Sequence, residues 1–287
     1  MSIPKRIFFF WGNPTMSWMR YLTLKSFCIL NPDWQVILYV SKCERVTKPW
    51  RDNVDQDFFS YSGPDYLSRV QELGVEVLEW SMPELLDVGA SHLSNFLKWY
   101  KLQAHGGIYS DMDILWLKPF DKLFEEMSNA DSAICITKYL SIGLLGSNIG
   151  NKMFKAFFDH ARQTYDTKRY QCVGVEAIYD LLYNDKAYNE DGGINFTYIA
   201  KQDIIQDLRD RWPDLKIFNI PFGVIYPFGC LEMDRVWEAN YQLPDHVVGI
   251  HWYAGDPLSQ RWNKVLHPGN LPREDNTFTR YARRYVK

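Results

Sequence analysis

Apolar residues fall along this chain in two rhythms: short continuous runs closed by turn residues, and longer stretches with a period of three to four. The run "KRIFFFWG" at 5–12 is closed by glycine and predicts a buried strand of a parallel sheet. Residues 15–31 place Met16, Met19, Leu22, Leu24, Phe27 and Leu30 at helical spacing, and "NPDW" ends that helix because proline disfavours the helical conformation in the residue before it. "QVILYV" (35–40) and "VEVLEW" (75–80) predict two more strands, with a polar stretch of loop and short helix between them at 41–66. In "SHLSNFLKWYKLQAHGG" (91–107) Ser91 is the expected N-cap. Leu93, Phe96, Leu97, Tyr100 and Ala104 form one apolar face, and Gly106 or Gly107 supplies the left-handed stop. "IYSDMDILWL" (108–117) then returns to strand. Further on, helices are expected at 149–163 and 174–184, and strands near 132–137, 216–220 and 247–252. This order of strands and helices predicts an α/β fold, a mostly parallel sheet flanked by helices. No repeat or linker divides the chain, so one domain over 1–287 is expected.

Composition narrows the class. Of 287 residues 46% are hydrophobic and 23% charged, which is ordinary for a globular chain able to bury a large core. Aromatics are abundant, with 11 Trp, 18 Tyr and 17 Phe; most must be core, but such rings also line sites for flat or sugar-like ligands. A net charge of −3 excludes a global field that collects nucleic acid or anionic membrane. The five cysteines (28, 43, 135, 172 and 230) have no C-x-x-C spacing, which argues against a disulfide framework or a thiolate zinc site. The apolar run near the N-terminus is too short for a signal peptide, and no run is long enough to span a membrane, so a cytoplasmic protein is expected.

The candidate chemistry lies in "GGIYSDMDILWLKPF" (106–120). Residues two apart on a strand point to the same side, so Asp111 and Asp113 are able to face one ligand. Two carboxylates that close repel, and burying them bare is costly. A divalent cation removes the conflict; oxygen ligands suit magnesium or manganese, ions that share phosphate oxygens, so the natural guest is a diphosphate. A D-x-D alone is more often a solvated strand end with two ordinary acids, because short motifs match by chance. What favours a site is position, because ligands of open α/β sheets bind at the carboxyl ends of the strands.

With those residues in place, "SNFLKWYKLQAHGGIYSDMD" resembles the signature of the D-x-D sugar transferases with the nucleotide-binding GT-A fold. This is the group of the yeast-type initiating mannosyltransferases and the clostridial glucosylating toxins. "IPKRIFFFWGN…NPDWQVILY" is similar to the same families' opening strand–helix–strand, and the match extends over roughly 3–40 and 90–120. The resemblance implies that Trp11 stacks on the nucleotide base, that Asp111 contacts the ribose or the metal's water shell, and that Asp113 ligates the metal. It places the family's aspartate and arginine of the preceding helix on Asn95 and Lys98. Asn95 carries no charge, and Lys98 keeps the charge but not the bidentate fork. It makes His251, in "VVGIHWYAGDPLSQRWN" (247–263), the third metal ligand, with Trp252, Ser259 and Trp262 as lid residues; a lone histidine is otherwise more often structural. It implies a nucleotide-sugar-binding half at 1–120 and an acceptor half with a C-terminal lid at 121–287. "GLLGSNIGNKMFKAFFDHA" (143–161) resembles the family's sheet-edge segment and following helix.

The expected activity is a metal-dependent glycosyltransferase with Mn2+ or Mg2+ and a nucleotide-diphosphate sugar as donor. Asp111, Asp113 and Lys98 act in catalysis, while Trp11, Asn95, Lys98, Asp111 and Trp262 bind the donor. The resemblance implies retention of anomeric configuration and an acceptor that is a glycan or lipid-linked saccharide. Alternatives are a hydroxylated base of DNA in a phage-like system, a protein acceptor, or a sugar-binding module without turnover. Nucleotidyl or phosphoryl transfer lacks a glycine-rich phosphate cradle here, and a glycosidase needs carboxyls that flank the sugar. Glu176 opens its helix as a charge favoured by the dipole, or faces the sugar. The tail "REDNTFTRYARRYVK" carries Phe278, Tyr281 and Tyr285 on one face, expected to dock. Its basic side is free for an anionic acceptor or a membrane surface.

Overall fold

The computed structural model describes residues 2–41, 61, 63–82 and 88–286. Of the polar stretch expected at 41–66, residues 42–60 and 62 lie outside the described residues, as does Cys43. Strand β1 (Arg6–Trp11) is the run of aromatics read above. It pairs in parallel with β2 (Gln35–Val40), which pairs in parallel with β3 (Glu76–Glu79). Between β1 and β2 runs α1 (Trp18–Leu30), capped by Ser17, whose hydroxyl accepts the Arg20 N–H. Helix α2 (Ala90–His105) leads into β4 (Gly107–Ser110), the other parallel neighbour of β1. Ser91 is not its N-cap: the cap lies two residues earlier, at Gly89 in the extended conformation. The glycine stop is as expected, since Gly106 and Gly107 have φ of 64° and 111°, and a β-carbon on Gly107 would collide with Arg6.

The run 108–117 is not one strand. It breaks at the aspartates into β4 and β5 (Ile114–Trp116), and these belong to different sheets. After α3 (Asp121–Ser128) come β6 (Ser132–Ile136) and β7 (Leu140–Ser147). The "GLLGS" segment is therefore not at the sheet edge: β7 lies between β4 and β6, antiparallel to both. Then follow α4 (Lys152–Gln163), α5 (Val175–Tyr183), α6 (Phe196–Ile199), α7 (Ile204–Arg211) and β8 (Ile217–Asn219), the parallel neighbour of β6. The seven strands run in the order β3-β2-β1-β4-β7-β6-β8, with β7 alone reversed. The chain closes with α8 (Met233–Trp237), β9 (Gly249–His251), α9 (Pro257–Val265) and α10 (Thr277–Ala282). This is the mixed, mostly parallel architecture that the resemblance implied.

Core residues sort by strand parity. Ile7, Phe9 and Trp11 of β1 enter a core shared with α1 and the C-terminal segment, whereas Phe8 and Phe10 enter a second core shared with α2, α4 and α5. Burial on both faces is why β1 reads as an unbroken apolar run. Phe278, Tyr281 and Tyr285 of the basic tail are all buried in the first core, so the tail docks by its aromatics as expected. No helix among the described residues is long and apolar enough to cross a membrane.

Candidate active site

The site forms where β4 ends. The Asp111 N–H makes the last ladder bond, to the Gly143 carbonyl at 2.8 Å, and the chain turns through Met112. Met112 is buried in the first core and its carbonyl accepts the Thr23 hydroxyl at 3.2 Å, so it pins the turn and leaves the aspartates on either side facing away from the core. Directly after Asp113, β5 pairs antiparallel with β9 in a separate two-stranded ribbon whose register sets Ile114 opposite His251. That pairing delivers a histidine from the C-terminal part of the chain to the aspartates.

Each carboxylate has one oxygen held by protein and the other turned toward the imidazole. On Asp111, Oδ1 accepts from the Tyr109 hydroxyl at 3.0 Å and from Lys98 Nζ at 3.4 Å, while Oδ2 lies 3.9 Å from His251 Nε2. On Asp113, Oδ2 accepts the Ala254 N–H at 2.8 Å. Its Oδ1 is buried, 3.1 Å from His251 Nε2, and makes no hydrogen bond. One ligand atom from each of the three residues lies within 4.8 Å of the others. A β-carbon on Gly143 would stand 3.0 Å from Asp111 Oδ2 and 3.1 Å from His251 Nε2, so only glycine in β7 lets the cluster close. Two carboxylate oxygens and one imidazole nitrogen, with an orphaned buried oxygen among them, fit a divalent first-row ion.

Charges around the cluster are strongly coupled. Burial alone would raise both carboxyls, but Lys98 beside Asp111 and His251 with Arg20 beside Asp113 outweigh it and hold both below the usual carboxylate range. Burial pushes the imidazole of His251 down, and the two carboxylates together push it further up, to about 9. Lys98, with a side chain only 2% exposed, is lowered by burial that Asp111 offsets in part. Besides Asp111 it donates to the Ile142 carbonyl at 3.1 Å.

The other expected residues divide into two groups. Trp11 ends β1 and lines a recess with Arg20, Ala254, Gln260, Asn263 and Lys264, beside the aspartates. Its indole N–H donates to the Thr15 carbonyl, and the Arg20 guanidinium lies over the ring, 5.3 Å from the centroid. Ala254 joins this recess to the aspartate cluster, because its N–H holds Asp113. Asn95 is buried on α2, one turn before Lys98, with its amide directed at Gly174, where a β-carbon would meet it at 3.0 Å. None of the three lid candidates lines the recess. Trp252 is wholly buried in the core, and Trp262 stacks on Trp237 at 5.7 Å, away from the recess. Ser259 is buried between Trp237, whose N–H it accepts at 2.8 Å, and the Trp252 carbonyl, to which it donates. Glu176 is paired with Arg169 at 2.6 Å.

Sequence reasoning passed over Arg20, Tyr109, Gly143, Tyr226 and Ala254. Tyr109 was findable, since it stands two residues before Asp111 on a strand and so shares its side. Arg20 sits on a helix face read as apolar, and it is buried with the guanidinium against both Trp11 and Trp252. The other three come from distant segments and carry no local signal.

Comparison with known proteins bears on this geometry. Residues 17–129 match the family described as the glycosyltransferase sugar-binding region containing DXD motif, a span that holds α1, Asn95, Lys98 and both aspartates. Solved structures with similarity include the PaToxG glycosyltransferase, at 15% identity over 75% of this chain and 81% of the other, with a TM-score of 0.42. The UDP-bound glycosyltransferase domain of the YGT toxin is similar at 10% identity over 76% and 79%, TM-score 0.40. Mouse xyloside xylosyltransferase 1 is similar at 11% identity over 88% and 100%, TM-score 0.42. A comparison with curated protein sequences finds no match. Residues 17–129 are thus similar to the DXD-containing sugar-binding region of glycosyltransferases.

Proposed function

We propose that this glycosyltransferase is metal-dependent and draws its sugar from a nucleotide-diphosphate donor, with Trp11, Asn95, Lys98, Asp111, Asp113 and His251 as its working residues. The observation that carries this reading is the pair of carboxylates, each with one oxygen fixed by the protein and one turned to the same imidazole nitrogen. Asp113, Asp111 and His251 would hold the ion, Mn2+ or Mg2+, and when bound it supplies positive charge against the leaving diphosphate. His251 would serve as a ligand once Nε2 is deprotonated.

The remaining work falls to side chains already in place. Tyr109 and Lys98 keep Asp111 oriented, and the Ala254 N–H keeps Asp113 oriented. The recess that Trp11 lines is the expected seat of the nucleotide, with Arg20 and Lys264 as nearby positive charge for the phosphates. Asn95, one helical turn from Lys98, is in range to bond a sugar hydroxyl. In the transfer, the anomeric carbon exchanges its bond to the diphosphate oxygen for a bond to the acceptor oxygen, and the acceptor hydroxyl loses its proton. By its resemblance to retaining families the reaction proceeds with retention, and the acceptor is a glycan or lipid-linked saccharide. The thiols of Cys28, Cys135 and Cys172 suit a reducing, cytoplasmic setting.

The test is release of nucleoside diphosphate from a panel of nucleotide sugars, with and without saccharide acceptors, in Mn2+, Mg2+ or chelator. Ion-dependent release from one donor, lost in Asp113→Asn while the fold melts normally, supports the reading. Equal release in chelator, or no binding of any donor, rejects it.

A further inference from the structure

Tyr226 follows β8 and is 3% exposed, and its hydroxyl has no hydrogen-bond partner. A buried hydroxyl without a partner is costly, so such a group beside the aspartates and His251 needs a reason. Its surroundings supply one. The ring is wedged between Phe222, stacked at 4.9 Å, and His251, tilted at 5.0 Å, so it has little freedom. Its oxygen is directed at the bare α-carbon of Gly143. The point that a β-carbon would take there lies 2.7 Å from the Tyr226 oxygen, 3.0 Å from Asp111 Oδ2 and 3.1 Å from His251 Nε2. Gly143 thus admits three polar groups to one spot, and the tyrosine is the one with nothing to bond.

We propose that Tyr226 is a positioning residue of the metal site: its hydroxyl, unbonded here, would donate to Asp111 Oδ2 when that carboxylate ligates an ion, and hold it in its ligating orientation. The proposal rests on the metal reading given above. The choice of acceptor follows from lone pairs. A carboxylate oxygen has two, one for an ion and one for a donor, whereas Nε2 has one, which a phenol could take only in competition with the ion. Phenols keep their proton at neutral pH, so the group is a donor throughout the working range. Asp111 would then be clasped on both oxygens, by Tyr109 and Lys98 on Oδ1 and by Tyr226 on Oδ2. Outer partners of this kind fix ligand geometry and tune affinity.

Tyr226→Phe keeps the ring packing and removes only the hydroxyl. Two measurements on the full chain without donor are required: the dissociation constant for Mn2+ by titration calorimetry, and the thermal midpoint in chelator. The expected result is Mn2+ affinity weaker by about tenfold to a hundredfold, with an unchanged or higher midpoint in chelator because an unsatisfied buried group has gone. An affinity within twofold of wild type overturns the proposal, and a lowered midpoint with unchanged affinity assigns Tyr226 to packing alone. Tighter Mn2+ binding in the variant also overturns it, since that is the sign expected of a hydroxyl competing for His251. A wild-type protein that takes up no Mn2+ removes the metal reading itself, and this proposal with it.

Discussion

Asp113 is fixed at one oxygen by the Ala254 N–H and open at the other, and this asymmetry sets what its replacement does. Asp113→Asn keeps an oxygen for Ala254 and puts a neutral amide where the charge was. Donor turnover should fall by about a hundredfold or more, since several kcal/mol of charge stabilisation are at stake, and nucleoside diphosphate release measures it. Gly143→Ala acts from the opposite wall: its methyl would press on Asp111, His251 and Tyr226 together. Weaker Mn2+ binding with little change of secondary structure is the expected outcome, read by calorimetry and circular dichroism. His251 supplies a pH signature. Its folded-state value is raised to about 9 from an ordinary 6.5, so the stability that it contributes in chelated protein is fully present below about pH 6.5 and is lost as pH rises through about 9. Unfolding free energies from urea titrations across that window should fall by an amount on the order of a few kcal/mol. In His251→Asn the decline should be absent. Mn2+ affinity should rise over the same window, because the ion displaces that proton.

At the scale of elements, capping and side-chain clasps do work that propensity does not. Helix α4 is capped by Asn151, whose side-chain Oδ1 accepts the Met153 and Phe154 N–H groups while its side-chain amide donates to the Asp131 carbonyl and the Ser132 hydroxyl, each at 2.8 Å. One side chain thus caps a helix and ties it to β6. Asn151→Ala should destabilise by about 2 kcal/mol or more, a cap plus buried bonds left unmade, measurable in urea unfolding. Helix α9 shows why the lid expectation parted from the structure. The tryptophans and serine of 252–262 carry the right residue types, but Trp237 of α8 offers them an aromatic wall, and they pack on it. The residues of α9 that line the recess are instead Gln260, Asn263 and Lys264, and Asn263 accepts the Ser17 hydroxyl at 2.6 Å, linking α9 to the start of α1. Polar side chains on the opposite helix face gave no signal beside two tryptophans.

For the whole molecule, the proposed metal site joins parts of the chain that are far apart in sequence: α2 and β4, the centre of β7, the segment after β8, and β9. An ion that binds only this assembled arrangement stabilises the folded state by mass action. Mn2+ at a hundred times its dissociation constant should add about 2.7 kcal/mol, a few degrees in the melting temperature of a chain this size. Chelator should reverse the gain, and Asp113→Asn should show neither effect by scanning fluorimetry.

Periodicity and turn residues alone account for the opening strands and helices of the sheet and for the segment that carries the aspartates. β1, β2, β3, α1 and α2 were legible because each is long enough, or buried evenly enough, for its periodicity to show; the glycines after α2 were legible because a left-handed stop needs them. The aspartates stood out because their position after β4 is where such sheets bind ligands. The tertiary structure decided the rest. It broke the expected strand at 111–113, since the register of β5 with β9 belongs to another sheet, and strand pairing across such a separation has no local signature. It put β7 in the middle of the sheet, reversed, because neither β4 nor β6 reveals its neighbour in its own residues. It placed Arg20, Tyr226 and Ala254 around the cluster for the same reason: their roles rest on proximity that only folding creates, and a lone arginine, tyrosine or backbone N–H looks the same in sequence wherever it ends up.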